Sequence, residues 1–246
     1  HSLSWDWHIQ PLMPLKTISA LLSQNTLLML TNSGKIDSFF LNLNSKNFSF
    51  NVKLKIGNAL AQEPIPLFVP RRQPLPNTSL FYRHIKRQCQ RLIVNRRNIT
   101  LILIDDLKLR HQLTSELAAE FGLRVVHETT KVQTNGVICC SCNWWIINQY
   151  SLPIPDQLIF PVIPLPTLES PWIAARVEML KHQGRNWFKE FLLPETIIII
   201  IKSVAIIRGK DVRVAILDGR IHNRSWGKLI FEALEPWVIL ERLLPY

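Results

Sequence analysis

The sequence predicts an α/β domain built on a mainly parallel sheet. Strand and helix signals alternate along most of the 246 residues. Residues 99–104 form an unbroken, largely β-branched apolar run, the pattern of a strand buried on both faces. The connecting segments are mostly short, as repeated crossover units require. At 47% hydrophobic and 19% charged, the chain can bury a full core and is not a disordered polymer.

The elements follow in order. Residues 26–30 are a short buried run, followed by Thr31, Asn32, Ser33 and Gly34 as a turn, a helix through residues 39–43 and a strand at 52–56. From Glu63 to Pro76, prolines at 64, 66, 70, 74 and 76 forbid helix and disfavour a central strand. This stretch therefore reads as an extended connector that exposes Arg71 and Arg72. Ser79 can cap a helix reaching about Asn95, with Phe81, Ile85, Cys89 and Leu92 on one face and Arg83, Lys86, Arg87 and Arg91 elsewhere.

The strand at 99–104 ends in Asp105 and Asp106, which can cap the next helix. That helix places Leu109, Leu113, Leu117 and Phe121 at steps of four before Gly122 stops it. Strands at 124–127 and 136–140 complete a strand, helix, strand unit. A loop around Trp144 and Trp145 leads to a strand at 157–163. Ser170 and Pro171 then open a helix running to about Phe191, which Leu193 and Pro194 break. Residues 196–207 are rich in isoleucine and fit either strand or helix; a helix is expected, because the strand at 212–217 needs a crossover connection. A helix at 225–234 closes the domain. With no internal repeat, the chain reads as one domain over residues 51–246, and residues 1–50 as an edge or linker from a preceding domain.

Charge is unevenly placed. Of the formal +11, residues 1–100 hold thirteen Lys and Arg against Asp6, Asp37 and Glu63, a balance of +10. Such a block suits a phosphate backbone, whose condensed counterions are released on contact, and equally suits a solubilising surface. The four cysteines, Cys89, Cys139, Cys140 and Cys142, lack metal-site spacing and have no neighbouring His to complete a tetrahedral set; they read as reduced thiols of a cytoplasmic protein. No stretch reaches the ~20 apolar residues of a membrane helix, so no membrane partner is expected. The start lacks Met and any leader pattern, which suggests that the chain begins within a longer protein.

The phosphate loop of nucleotide-binding proteins is missing: the Gly-Lys pairs at 34, 209 and 227 have neither the following Ser or Thr nor the upstream Gly. No Asp-Glu pair follows a strand. The chain does not cradle a nucleoside triphosphate alone.

The order of segments nevertheless resembles the C-terminal helicase domain of the DinG and XPD-like superfamily 2 DNA helicases. Residues 63–77 resemble that family's Pro-rich opening, residues 101–106 its strand and Thr-Ser segment, and residues 31–34 its Thr-Ser-Ala-Thr segment. Trp144 and Trp145 stand where the family has Phe-Trp-Glu-Gly-x-Asp, and residues 163–171 where it has Leu-Pro-Phe-x-x-Pro. Leu193 and Pro194, followed by Lys202 and Arg208, resemble the Gln-x-x-Gly-Arg-x-x-Arg helix, and Asp218-x-Arg220 resembles the closing strand. The resemblance implies a RecA-like, P-loop NTPase-type three-layer fold, the second motor domain of a helicase. It also implies an N-terminal motor domain in the same protein, ATP and Mg²⁺ at the interface with that missing domain, and DNA, single-stranded, as partner, with a role in DNA repair. Oligomeric state stays open.

The departures fall at chemical positions. Ile146 and Gln149 replace the Glu and Asp, Lys202 replaces the Gln, and Ala205 and Ile206 replace the Gly-Arg pair. An arginine finger contributes ~10³ to 10⁵ in rate, which isoleucine cannot supply. Arg208 is a candidate phosphate contact two residues away, about 200° around a helix, or an internal salt-bridge partner. Lys202 is a second catalytic candidate. Asp218 and Arg220 are implied cofactor-binding residues and are also placed to form a structural pair. Arg71, Arg72, Arg83, Lys86 and Arg87 are candidate nucleic-acid contacts. Trp144 and Trp145 either stack on unpaired bases or belong to the core.

Two functions stand side by side: the C-terminal RecA-like half of an ATP-dependent DNA helicase, and a catalytically degenerate helicase-fold module that binds nucleic acid or scaffolds. A metal or thiol enzyme fails for want of partners, since His84, His111 and His127 sit in ordinary helix or strand positions.

Overall fold

The computed structural model describes residues 63–94 and 96–240, with Pro11 and Leu12. The strands expected at 26–30 and 52–56 and the helix at 39–43 lie outside the described residues. Contacts divide the chain into a larger unit, residues 58–164 and 196–246, and a smaller one, residues 1–57 and 165–195.

The larger unit holds β1 (Ile65–Phe68), β2 (Thr100–Leu103), β3 (Val125–His127), β4 (Val137–Cys140), β5 (Gln157–Phe160), β6 (Arg213–Ile216) and β7 (Trp237–Ile239). They form one seven-stranded sheet in the order β3-β4-β2-β5-β6-β1-β7, with every neighbouring pair parallel. The expected α/β class with a parallel sheet is thus the observed one. Parallel strands cannot be joined by tight hairpins, so helices connect most of them. These are α1 (Phe81–Ile93) between β1 and β2, α2 (Leu107–Phe121) between β2 and β3, and α3 (Cys142–Asn148) between β4 and β5. Beyond β5 come α4 (Pro171–His182) and α5 (Leu193–Val204), and beyond β6 come α6 (Arg220–Asn223) and α7 (Gly227–Leu234).

Alternate strand residues fill the layers on the two sides of the sheet. Ile102, Ile104, Cys139, Ile159, Ala215 and Leu217 pack with Phe81, Ile85, Cys89 and Leu92 of α1 and Leu113 and Leu117 of α2. The residues between them, Leu101, Leu103, Ile138, Leu158, Phe160, Val214 and Ile216, are equally buried. A sheet covered on both sides explains why β2, β4 and β5 read as continuous apolar runs. Each fully buried Leu, Ile or Phe contributes roughly 1.5–3 kcal/mol.

Several local signals behave as expected. The Asp106 side chain accepts from the Leu109 N–H and caps α2, and Gly122, at φ 67, ends it in a conformation that glycine tolerates. The apolar face expected for α1 is buried. Ser79, however, does not cap it: the N-cap is Leu80, without a side-chain hydrogen bond.

Other expectations are corrected. The proline-rich connector contains β1, which lies between β6 and β7. Pro66 is tolerated because pairing with β6 begins one residue later, at Leu67 with Val214. The tryptophan loop is helix α3, nucleated by Ser141, whose hydroxyl accepts from the Trp144 N–H at 3.3 Å. The helix from Pro171 stops at His182, and Gly184 at φ 65 turns the chain. Phe188–Leu192 then make one wide π-helical turn. Leu193 and Pro194 begin α5 rather than break a helix: α5 follows directly on the π-helical turn, whose last N–H, that of Leu193, donates to the Phe188 carbonyl. β7, after Pro236, was not anticipated.

In the smaller unit, Val177, Leu180, Phe191 and Leu192 form a compact core. Trp172 meets Phe191 edge-on at 5.5 Å, and the Arg176 guanidinium lies 4.3 Å from the Phe191 ring centre. Arg176 and the two rings hold α4 and the π-helical turn together by stacking and cation–π attraction.

Candidate functional site

In open parallel sheets, ligands bind beyond the carboxyl ends of the strands. The polar residues here gather at those ends, in two clusters of the larger unit. Arg71 and Arg72 follow β1, Asp105 follows β2, Glu128 follows β3, Ser141 follows β4 and Asp218 follows β6.

The first cluster is centred on Arg110 of α2, which is 6% exposed. Its Nη1 donates to the Ile104 carbonyl at 2.7 Å, its Nε to His127 Nε2 at 3.2 Å, and its Nη2 lies 3.5 Å from Glu128 Oε1. Glu128 has φ 41, a left-handed backbone unusual for a residue with a side chain. In that conformation its carboxylate accepts from the Ser141 N–H at 2.9 Å and the Ser141 hydroxyl at 2.8 Å. Burial opposes ionisation of Glu128, but the two bonds from Ser141 and the nearby Arg110 hold its carboxyl below the usual range. Asp105 accepts from the Cys142 N–H at 2.8 Å. The cluster locks the ends of β2, β3 and β4 to the start of α3. His111 stacks on His127 at 4.7 Å, and burial lowers the His127 pKa, Arg110 and His111 adding to the effect and Glu128 opposing it.

The second cluster is centred on Asp218, which is fully buried. Its carboxylate accepts from the Ile163 N–H and the Arg220 N–H, both at 2.9 Å, and from Arg220 Nη2 at 2.6 Å. Arg220 also donates to the Ile163 carbonyl at 3.3 Å. Gly219 allows the chain after β1 to press against this corner: a Cβ there would collide with the carbonyl oxygens of Gln73 and Pro74. Gln73 completes the contact by donating to the Ile216 carbonyl at 3.2 Å. Asp218 and Arg220 form an internal clasp between the segments after β5 and β6.

Arg208 is held elsewhere. Its guanidinium donates to the Leu234 and Glu235 carbonyls at 3.2 and 3.3 Å, at the carboxyl end of α7, and burial lowers its pKa. This is a carbonyl cap that also favours the helix dipole, rather than the expected salt bridge. Lys202 is half-buried on α5, and Ile206 is half-buried just beyond that helix.

Among the nucleic-acid candidates, Arg71, Arg72, Arg83 and Arg87 are exposed. Lys86 is half-buried and pairs with Glu116 at 2.6 Å. The two tryptophans also part company. Trp145 is 1% exposed and donates from Nε1 to the Ser203 carbonyl at 2.8 Å, tying α3 to α5, so it belongs to the core and is not a stacking platform. Trp144 keeps partial exposure.

Cys89, Cys139, Cys140 and Cys142 are unpaired and buried. Burial pushes the Cys139 thiol up to about 11 and the other three well above the ordinary range, which keeps them protonated and unreactive. Arg110, Glu128 and Gln73 are not among the residues expected from the sequence. A signal existed for Arg110, which lies three and seven residues before Leu113 and Leu117 and so beside the buried stripe of α2.

No protein-family model matches the chain. Over 93 residues it is 36% identical to the ATP-dependent DNA helicase DinG of Photobacterium profundum, a match covering 37% of this chain and 13% of that helicase. Its fold is similar to that of an XPD helicase, with a TM-score of 0.52 over 73% of this chain and 36% of the other at 11% identity. It is similar also to S. tokodaii Xpd4, with a TM-score of 0.50 over 79% of this chain and 45% of the other at 12% identity. The chain thus spans a minor part of each of these proteins.

Proposed function

Taking the chain as a DinG/XPD-like helicase domain, which its sequence match and its fold both support, we propose that it is the C-terminal RecA-like half of an ATP-dependent DNA helicase. The observation that carries the reading is the ordered run of β5, α5, β6 and the Asp218–Arg220 clasp within an all-parallel sheet. In this reading an N-terminal motor domain of the same protein binds ATP and Mg²⁺ at its interface with this half. Single-stranded DNA is held by Arg71 and Arg72 beside the strand ends, by Arg83 and Arg87 on α1, and by the exposed part of Trp144. Alternate closure and opening of the two halves converts the nucleotide cycle into movement on DNA. A cytoplasmic location belongs to the same proposal, in keeping with four unpaired thiols.

The cations at the motor positions do not fit a triphosphate as they stand. Arg208 is bonded to the end of α7 and Arg220 to Asp218, and Ile206 carries no charge. Lys202 is the remaining candidate. No hydrolytic step is therefore assigned to this half. The engagement of Arg208 and Arg220 favours a second reading, a helicase-fold module that binds nucleic acid without stabilising phosphoryl transfer.

DNA-stimulated ATP hydrolysis by the intact protein, measured beside single-stranded DNA binding by this chain, separates the two. Stimulated hydrolysis supports the motor; binding without hydrolysis supports the binding module; absence of both overturns the nucleic-acid assignment.

A further inference from the structure

We infer that the outward face of α1 is a phosphate-binding track for single-stranded nucleic acid, formed by Arg83, Arg87 and Arg91. The inference rests on the nucleic-acid reading above and adds Arg91, removes Lys86, and places the contact on a helix face apart from the strand ends.

Between Glu63 and Asp105 the sequence has no acidic residue, but it has eight basic ones, at 71, 72, 83, 86, 87, 91, 96 and 97. A solubilising surface normally mixes both signs, so this stretch is segregated charge. The structure sorts it further. Arg83, Arg87 and Arg91 stand four residues apart on α1, all exposed, so they rise in steps of about 6 Å along one side of the helix.

Among the described residues, the acids bonded to α1 side chains belong to α2 and are engaged by residues other than these arginines. Glu116 takes Lys86 and Glu120 takes the Gln90 amide. These two ties fasten α1 to α2 and leave the three arginines without an ion pair among the described residues. The opposite face of α1, with Phe81, Ile85, Cys89 and Leu92, is locked in the core, so the helix cannot turn an apolar side into a lipid surface. A linear polyanion that needs only evenly spaced cations is the ligand this face fits.

The test is the affinity of the 246-residue chain for an oligothymidylate across a salt series, with the triple variant R83Q/R87Q/R91Q and the charge-keeping R83K/R87K/R91K. Exposed substitutions of this kind change stability by little, and circular dichroism confirms the fold of each variant. At ~0.7 counterion per phosphate contact, the glutamine variant should lose about 2 from the slope of log affinity against log salt. A fourfold rise in salt then weakens it about 20-fold less than the wild type. The lysine variant should keep the wild-type slope.

Wild-type binding with an unchanged slope in the glutamine variant overturns the track and leaves the helicase reading standing. Absence of wild-type binding overturns both. Equal, arginine-dependent binding to vesicles of anionic phospholipid also overturns the track, because the face would then be a general polyanion surface.

Discussion

The arginines of this chain fall into two groups with opposite environments. Arg110, Arg208 and Arg220 are each bonded to carbonyls or carboxylates of the fold itself. Arg83, Arg87 and Arg91, on the outward side of α1, have no such partner among the described residues. The difference shows that a guanidinium's role is set by what already occupies its donors. A guanidinium hydrogen-bonded within the fold is architecture, and a helix face with idle donors is a place for an external anion.

The largest effect is expected at Asp218. Asp218→Ala removes the acceptor for the Ile163 N–H and strands the Arg220 charge, so a loss of about 3–5 kcal/mol is expected in urea unfolding. A loss under about 1 kcal/mol, the range of an exposed pair, would mean that Arg220 is free for a ligand after all. Gly219→Ala comes next, because the Gln73 and Pro74 backbone oxygens that meet the new Cβ cannot yield without moving the chain after β1. A cost of about 1–3 kcal/mol is expected in the same assay.

Arg208→Gln should cost about 1–2 kcal/mol through loss of the cap on α7. Thermal melts of the chain read this directly, and an unchanged melting temperature would contradict the capping role.

The smallest effect is that of pH. Burial lowers the pKa of His84, His127 and His222, with Arg110 and His111 adding to it at His127 and Arg71 at His222. Their protonated forms are disfavoured by folding, so the folded chain binds fewer protons than the unfolded one. Stability should be full above about 6.5, the ordinary histidine value, and fall as pH drops through it toward the lower folded values. Melting temperatures between about pH 7.5 and about pH 5 check the sign. A rise on acidification would mean that these rings gain partners when charged.

What the sequence made legible follows the range of each interaction. In the buried stripe of α1, the Asp106 cap and the Asp218–Arg220 pair, the residues that act together stand two to four positions apart, and all three were readable. β1 was missed because proline's bar to strands depends on which neighbour lacks a pairing partner, and that is a matter of register. Seven-residue α3 is too short for a 3.6-residue period to show. Trp145 and Trp144 look alike until one finds a carbonyl 58 residues away, and Arg208 is fixed by backbone oxygens 26 and 27 residues distant. Backbone acceptors carry no residue signature, so the sequence held no sign of either partner.

In the proposed reading, Arg208 and Arg220 serve the fold. DNA-stimulated ATP hydrolysis by the intact protein, wild type against Arg208→Gln at a temperature where both are folded, tests it most directly. Equal rates are expected in the two proteins. A fall of ~10³ or more in the variant, the signature of a lost arginine finger, would contradict it.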